Sequence, residues 1–197
     1  MKKIILASSS PRRQDLMKFL GIPFDVVSSD FDETRIPDTD YKQFVEALSF
    51  EKAKVVAAAF DDAIIIGADT VVVLDGKVLG KPKDKEDAAK TLKLLSGTKH
   101  LIITGYTIFD TKTGRVVNGS VESAVKLKVL TDSEIKAYIE TGEPMDKAGS
   151  YAVQGIGGLF VERVEGDYFN IVGLPLKDLR RHLADFGVKT LPHEGKE

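Results

Sequence analysis

The N-terminal segment of the chain places a short apolar run directly before three serines, a proline and two arginines. The apolar residues 4–7 predict a buried strand, and the residues that follow predict a tight loop and the start of a helix. Ser10 suits the N-cap of that helix and Pro11 its first position, where a missing N–H costs nothing. Unpaired helix N–H groups, serine hydroxyls and guanidinium groups would then converge on an anion, most commonly phosphate. A solvated basic turn is the alternative interpretation.

Composition excludes several classes of protein. A net charge of −2 gives no global basic field for nucleic acid, and the absence of cysteine excludes disulfides and thiolate metal sites. With three histidines, a His-rich metal centre is not expected. Few apolar residues follow the first two lysines, so no signal peptide is expected, and no apolar run approaches the roughly 20 residues of a membrane span. These features predict a cytoplasmic protein without a membrane or nucleic-acid partner.

The pattern of apolar residues alternates between strand and helix periods along the chain. It predicts a single α/β domain over residues 1–188, with a mixed β-sheet, flanking helices and two lobes around a central cleft, followed by a flexible tail over residues 189–197. Strands are expected over residues 4–7, 24–28, 63–66, 71–74, 77–79, 101–109 and 115–129. Helices are expected over residues 11–20, 41–60, 84–95, 131–141 and 176–186. The sequence also predicts a hairpin turn at Asp75–Gly76, a capping box formed by Thr131 and Glu134, and inward positions in the third helix at Ala88, Leu92 and Leu95.

The helix expected over residues 41–60 carries a lysine on its apolar stripe. The stripe is expected at Val45, Leu48, Val55 and Ala59, and Lys52 falls on it. Either this lysine extends its ammonium to the rim of the core, or it points into a cleft lined by the helix.

Asp69 follows an apolar strand that is expected to break at Gly67. Carboxylates at the ends of core strands in open α/β sheets face the ligand-binding crevice, so Asp69 could accept a proton from water or hold a divalent metal. A capping or turn aspartate is the alternative. The neighbouring Thr70 would face away from Asp69 if the strand continued, and toward the cleft if the chain bends.

Further charged and amide side chains lie in expected loops. The acidic loop that contains Glu33 is either solvated or helps to hold Mg²⁺. Lys81, Lys147 and Gln154 each lie within two residues of a glycine or proline. Each lysine by itself is more often a surface group. Several cations and carboxylates at loops and element ends together suit a metal–polyphosphate complex, in which catalysis proceeds by positioning and charge neutralisation.

Eight short motifs, in the order in which they occur along the chain, resemble those of the Maf (septum-formation) proteins. The resemblance covers nearly all of residues 3–186. The motifs occupy residues 6–13, 32–33, 51–53, 67–70, 80–82, 96–97, 146–151 and 172–176. The resemblance implies a fold similar to the inosine-triphosphate pyrophosphatases. It also implies hydrolysis of a nucleoside triphosphate to the monophosphate and pyrophosphate with Mg²⁺ or Mn²⁺, and it allows a homodimer.

The resemblance also implies a role for individual residues. Asp69 corresponds to the proton acceptor, and the three positions that separate subgroups are Arg12, Thr70 and Gln154, as in the dTTP/UTP-preferring branch rather than the 7-methyl-GTP branch. A glutamine amide can match the N3–H and O4 edge of uracil or thymine, whereas a glutamate would accept from a guanine edge. The triphosphate would be bound by Ser8, Arg13, Lys52, Lys81 and Lys147, and the metal by Glu33 and Asp69.

Two other functions stay open beside hydrolysis of canonical dTTP and UTP in nucleotide-pool cleaning. Modified or damaged pyrimidine nucleotides would use the same site. A nucleotide-binding regulator of septum formation would bind without turnover, but a pure sensor has no need of a water-activating carboxylate such as Asp69. The resemblance also allows a link between nucleotide-pool cleaning and cell-division arrest. A nucleic-acid-binding module is disfavoured because no aromatic residues are interleaved with the basic ones.

Overall fold

The computed structural model describes residues 2–31 and 40–190. Its strands are β1 Lys3–Ala7, β2 Asp25–Val26, β3 Ala63–Leu74, β4 Lys77–Leu79, β5 Lys99–Asp110, β6 Val116–Leu127 and β7 Val161–Glu165. Its α-helices are α1 Pro11–Lys18, α2 Tyr41–Ala57, α3 Lys85–Leu95, α4 Asp132–Glu140, α5 Tyr168–Val172 and α6 Leu176–Asp185. Short 3-10 turns cover Glu143–Asp146, Ala148–Ser150 and Ile156–Phe160. No helix in the described ranges has the length and apolar character of a membrane span.

The strands form one sheet of mixed direction. Its order is β2-β1-β3-β5-β6-β7, with β4 also paired to β3. β1 runs parallel to β2 and to β3, whereas β4 is antiparallel to β3 and β7 is antiparallel to β6. The predicted α/β class, with a mixed sheet and flanking helices, is confirmed.

The chain divides into two compact units, and each is assembled from separate segments. Among the described residues, the first unit comprises those within Met1–Asp69, Thr104–Val121 and Gly173–Glu197, and the second comprises Thr70–Ile103 and Glu122–Val172. The boundaries fall inside β3, β5 and β6 and after α5. The single two-lobed domain over residues 1–188 stays a prediction.

The core of the first unit forms where α2 packs on β1 and β3. Its buried residues are Ile5, Ala7, Ala53, Val56, Ala57, Ala63 and Ile65. Two glycines allow the helix backbone to approach the strands closely. A Cβ at Gly67 would lie 2.3 Å from the carbonyl oxygen of Ser49, and a Cβ at Gly105 would lie 2.2 Å from that of Val45. Both distances are far below van der Waals contact, so a side chain at either position would force α2 away.

The inward face of α2 differs from the expected stripe at its C-terminal end. Val45 and Leu48 are buried as predicted, but Val55 is 45% exposed. Ala59 is also exposed and lies beyond the end of the helix. The buried stripe of α2 instead continues to Val56, with the spacing of about 3.6 residues that one helical turn requires. The close contact at Gly67 places the side of the helix that carries Val56 against β3.

The expected break at Gly67 is absent. β3 runs without interruption for 12 residues, and Gly67 pairs with Ala7 in the parallel ladder. The glycine therefore serves the close approach of α2 rather than a turn. Residues 63–66 and 71–74 belong to one strand, and Asp69 lies within it instead of at its end.

Local signals for the ends of helices and strands are confirmed at the start of α4 and at the turn between β3 and β4. Thr131 and Glu134 form the reciprocal capping box of α4, and Asp75 and Gly76 form the β3–β4 turn with φ values of 48° and 73°. Ser10 is the N-cap of α1 but its side chain makes no capping hydrogen bond. Its N–H instead donates to the hydroxyl of Ser8 at 3.2 Å.

The second unit has its own core, in which α3 and α4 contribute most of the helical residues. The buried members are Val72, Ala88, Leu92, Leu95, Ile102, Val125, Leu127, Leu130, Ile135, Tyr138, Ile139, Tyr151, Phe160 and Ile171. The three inward positions predicted for α3, Ala88, Leu92 and Leu95, are all among them. The short helix α5 was not predicted, because five residues are too few to show a helical period.

Candidate functional site

The loop between β1 and α1 brings together a serine and an arginine that the sequence singles out. Ser8 is 7% exposed. The guanidinium of Arg13 lies 3.4 Å from the Ser8 hydroxyl through Nη1 and donates from Nε to the carbonyl of Gly173 at 2.8 Å. Arg12 is half-buried beside it in the first turn of α1. The two arginines place positive charge at the N-terminal end of α1, where the backbone N–H groups have no acceptor within the helix itself.

Lys52 and Asp69 form an ion pair inside the first unit. Lys52 Nζ donates to Asp69 Oδ1 at 2.5 Å, and the two side chains are 13% and 12% exposed. The close packing of α2 on β3 at Gly67 brings them together, because Lys52 lies one position before Ala53, whose Cβ would be only 2.9 Å from a Cβ placed on Gly67. The sequence left open whether Lys52 extends its ammonium to the rim of the core or points inward. The structure shows the ammonium pointing inward, to Asp69.

The parallel pairing of β1 and β3 brings the serine loop close to this pair along the sheet. Ala7, the last residue of β1, pairs with Gly67. Ser8 follows Ala7, and Asp69 follows Gly67 by two residues, so both lie just beyond the carboxyl end of β1. This is the edge at which ligands bind in parallel α/β sheets.

In the second unit a backbone hydrogen bond joins the segments that carry Lys81 and Lys147. Gly149 N–H donates to the carbonyl of Gly80 at 3.1 Å. Gly149 has a φ of 71°, and a Cβ there would lie 3.1 Å from Val72 of β3. Lys81 is exposed. The side chain of Lys147 is only 14% exposed, and its ammonium forms an ion pair with Asp146.

Gln154 is half-buried, and within the described residues its side-chain amide has no hydrogen-bond partner. The backbone after it is held by Glu143, whose carboxylate accepts from the N–H groups of Ile156 and Gly157. Burial by itself would raise the pKa of Glu143. The N–H groups of Gly157 and Ile156, the hydroxyl of Tyr138 and the charge of Lys147 together lower that pKa below its usual value.

Thr70 directly follows Asp69 within β3. β3 continues without a break through both residues. Because side chains alternate along a strand, Asp69 and Thr70 are expected on opposite faces of the sheet. Thr70 is half-buried. Glu33 lies outside the described residues.

Among the residues that the structure describes, Asp69 carries a carboxylate that suits a divalent metal. No group of three or more His, Asp or Glu side chains converges within residues 2–31 and 40–190. Lys52 occupies Oδ1 of Asp69, and among the described residues the structure gives Oδ2 no hydrogen bond. Mg²⁺ commonly binds one or two carboxylates and completes its shell with substrate phosphates and water. A metal held by Asp69 together with a phosphate ligand therefore fits these residues.

Sequence reasoning missed the residues that hold the site residues in place. Gly173 fixes Arg13 through a backbone carbonyl, for which no side chain gives a signal. Glu143 was visible in the sequence only as the first residue of a loop. Its position three residues after the end of α4 and before Pro144 was the available clue, since such a carboxylate can reach back to loop N–H groups.

These features define an α/β protein with a basic serine–arginine loop and a shielded lysine–aspartate pair, a combination suited to an anionic ligand. The model of a family described as Maf-like protein matches residues 3–186. The chain belongs to this Maf-like family, as its motifs indicated.

Relatives with an assigned activity match over nearly their whole length. A dTTP/UTP pyrophosphatase of Clostridium novyi (strain NT) is 47% identical, over 94% of this chain and 98% of the relative. A dTTP/UTP pyrophosphatase of Methanosarcina barkeri (strain Fusaro / DSM 804) is 46% identical, over 95% and 96%. Among solved structures, the Ham1 protein of Staphylococcus aureus has a TM-score of 0.47 at 17% identity, covering 64% of this chain and 72% of that one. That structural likeness is too remote to bear on activity.

Proposed function

We propose that this protein is a nucleoside triphosphate pyrophosphatase that hydrolyses dTTP and UTP to the monophosphate and pyrophosphate and so removes nucleotides from the cellular pool. Relatives with that name are 46–47% identical over nearly the whole chain. The structural observation that carries the proposal is the shielded Lys52–Asp69 pair beside the serine–arginine loop. A cytoplasmic location and a homodimer stay predictions.

Asp69 is proposed as the group that activates water. Its carboxylate takes the proton as the water oxygen forms a bond to the α-phosphorus. The bond from the α-phosphorus to the bridging oxygen breaks, and its electron pair leaves with pyrophosphate. Lys52 holds one carboxylate oxygen at 2.5 Å, which fixes the direction of the other.

The proposed triphosphate ligands are hydroxyl and cationic groups. Ser8 and Arg13 are already joined to each other, and the second anchor of Arg13 on Gly173 limits its rotation. A preorganised guanidinium stabilises developing charge on phosphate oxygens without rearranging during the reaction. Lys81 and Lys147 are proposed to add charge to the phosphates.

Base selection is assigned to Gln154, together with Arg12 and Thr70. The amide of Gln154 is half-buried and has no hydrogen-bond partner within the described residues, so it can offer its oxygen and its NH₂ group to a ligand. These match the N3–H and O4 of thymine or uracil. A site built to hydrogen-bond one base edge disfavours others, because its polar groups would be left unpaired.

A divalent metal is proposed as the cofactor, held by Asp69 and by Glu33. Bound Mg²⁺ or Mn²⁺ would neutralise charge on the phosphates and on the leaving pyrophosphate. Removal of divalent ions by EDTA should abolish activity, and addition of Mg²⁺ or Mn²⁺ should restore it.

The decisive experiment measures pyrophosphate release from a panel of nucleoside triphosphates with Mg²⁺ or Mn²⁺. Fast release from dTTP and UTP, with little from purine nucleotides, is expected. Activity mainly on 7-methyl-GTP would contradict the roles given to Arg12, Thr70 and Gln154. Nucleotide binding without turnover would replace the enzyme by a nucleotide-binding regulator, and faster turnover of modified pyrimidines would redefine the substrate.

The variant Asp69→Asn should lower kcat about 10²- to 10⁴-fold, the range of a lost general base. The loss should persist at saturating metal. A loss that saturating metal repairs would instead make Asp69 a metal ligand only. The matched control is Asp110→Asn, because Asp110 is also a shielded aspartate paired with a lysine, Lys2, at 2.6 Å. That control should lower stability and leave kcat unchanged.

A further inference from the structure

The carboxylate of Glu143 accepts three hydrogen bonds in the second unit. Oε1 accepts from Gly157 N–H at 2.9 Å and from the Tyr138 hydroxyl at 2.8 Å, and Oε2 accepts from Ile156 N–H at 3.0 Å. Tyr138 is 2% exposed, and its ring packs edge-on against Phe160 at 5.0 Å, so the hydroxyl is itself fixed. The backbone carbonyl of Glu143 in turn accepts from Lys147 Nζ at 3.4 Å.

The glycine-rich segment over residues 155–158 therefore binds an anion from its own chain. Successive backbone N–H groups that point to one spot form an anion-binding concavity, which in other proteins holds phosphate. Here the N–H groups of Ile156 and Gly157 point to the carboxylate of Glu143. This segment is thus organised by a carboxylate and is not available as a phosphate-binding loop.

Gly155 brings the backbone of Gln154 against that carboxylate. Its φ is +103°, and a Cβ there would lie 2.6 Å from Oε2 of Glu143. Because the amide of Gln154 has no partner among the described residues, its direction depends on the backbone that carries it. Two N–H groups of that backbone, those of Ile156 and Gly157, are held by Glu143, and the carbonyl of Gly155 accepts from the N–H of Gly158 at 3.2 Å.

We propose that Glu143 is a positioning residue for base selection. Its carboxylate fixes the backbone after Gln154 so that the amide meets the pyrimidine edge, and its carbonyl restrains Lys147. This role rests on the proposed function, because the base contact of Gln154 belongs to it. Glu143 itself touches neither the base nor the reacting phosphate.

The variant Glu143→Gln tests the role. An amide has one acceptor oxygen, so its NH₂ group would face the N–H of Ile156 or of Gly157. We expect the ratio of kcat/KM for dTTP to that for dGTP to fall about tenfold, with KM for dTTP rising more than kcat falls. A purely structural loss lowers the amount of folded enzyme and so scales both substrates equally, leaving the ratio and KM unchanged.

Two further variants test whether the change in the substrate ratio comes from the contacts of Glu143 or from misfolding and other non-specific effects. Tyr138→Phe removes one of the donors to Glu143 and keeps the buried ring, so it should lower the same ratio by a smaller factor. Glu140→Gln is the matched control. Glu140 ends α4 and pairs only at the surface, with Lys85 at 3.3 Å, so its substitution should leave the ratio unchanged.

Hydrogen exchange separates this inference from the proposed function. In Glu143→Gln the amides of Ile156 and Gly157 should exchange at least tenfold faster, while the amides of α3 keep their rates. Unchanged exchange, or faster exchange with an unchanged substrate ratio and KM, overturns the positioning role. Absence of pyrophosphate release from the wild-type protein overturns the proposed function, and with it base selection by Glu143. Exchange then still decides whether Glu143 holds the segment.

Discussion

At the scale of single residues, His100 and Tyr151 form a buried polar pair behind the segment that carries Lys147. His100 is 2% exposed and Tyr151 4% exposed, and His100 Nε2 lies 2.6 Å from the Tyr151 hydroxyl. Burial lowers the pKa of His100 to about 4 and raises that of Tyr151. Both groups are therefore neutral at physiological pH, and their hydrogen bond ties Tyr151 to β5.

This pair predicts a specific dependence of stability on pH. Between pH 6.5 and about 4 the unfolded chain protonates His100 while the folded protein keeps it neutral, so the unfolded state binds more protons. The free energy of unfolding should therefore fall as pH decreases through this window, by on the order of 3 kcal/mol from this residue. Below about pH 4 the contribution of His100 should become constant.

Urea unfolding at several pH values checks the effect. The variant His100→Gln keeps a polar group but cannot titrate, so its stability should fall less between pH 6.5 and 4 than that of the wild type. Equal slopes for the wild type and His100→Gln would contradict the assignment.

At the scale of elements, the contact between α2 and β3 sets the geometry of the proposed catalytic pair. Gly67 lets the helix backbone lie directly on the strand, and Lys52 reaches Asp69 only from that position. Ser49, on the same face of α2, bonds the hydroxyl of Thr107 on β5 at 2.9 Å and fixes the helix along a second strand.

The variant Gly67→Ala should displace α2 and weaken the pair. The added Cβ would lie 2.3 Å from the backbone oxygen of Ser49, so relief requires movement of the helix rather than of a side chain. Overpacking of this kind costs typically 1–3 kcal/mol. We expect a loss of about 3 kcal/mol in chemical denaturation and a decrease in kcat that exceeds the decrease in folded fraction.

Gly80→Ala is the matched control for that substitution. A Cβ at Gly80 meets nothing within 4 Å, and its hydrogen bond to Gly149 uses only the backbone. Its stability should change by less than about 0.5 kcal/mol. Similar losses in both variants would show that the Gly67 contact is not the cause.

Elements with strong local signals could be predicted from the sequence, and those set by tertiary contact could not. The capping box at Thr131, the turn at Asp75 and the buried positions of α3 depend on near neighbours in the chain. Gly67 carries the same local signal whether it ends a strand or accommodates a helix, so the predicted break was wrong. The turn of α2 that buries Val56 instead of Val55 follows from the same contact.

The residues of the candidate site also fall into two groups, those that the sequence predicts and those that only tertiary contacts reveal. Lys52 and Asp69 were found because a lysine on an apolar stripe and a carboxylate beside an apolar run contradict simple burial. Gly173 acts through its backbone carbonyl and Glu143 through loop N–H groups, so the sequence marks their segments but does not show which residues they hold.

At the scale of the whole molecule, both compact units share three strands. The boundaries at residues 69/70, 103/104 and 121/122 lie within β3, β5 and β6. The chain therefore passes from one unit to the other four times, counting the passage after α5. Loss of either unit would remove part of the same strands on which the other depends.

Because of these shared strands, unfolding is expected to be a single cooperative transition. Buried amides of β1, in the first unit, and of α3, in the second, should report the same free energy of global opening by hydrogen exchange. Calorimetric and van't Hoff enthalpies should agree. A stable intermediate in which α3 keeps its protection after β1 has lost it would contradict the prediction.

Four passages of the chain between its units also limit how such a protein can change over evolutionary time. A gene fusion or a single recombination event exchanges contiguous stretches, and neither unit is contiguous. A single event of this kind therefore cannot transfer one whole unit and leave the other intact. Any exchanged stretch must fit the strands that the two units share, so a change in one unit is selected together with the stability of the other.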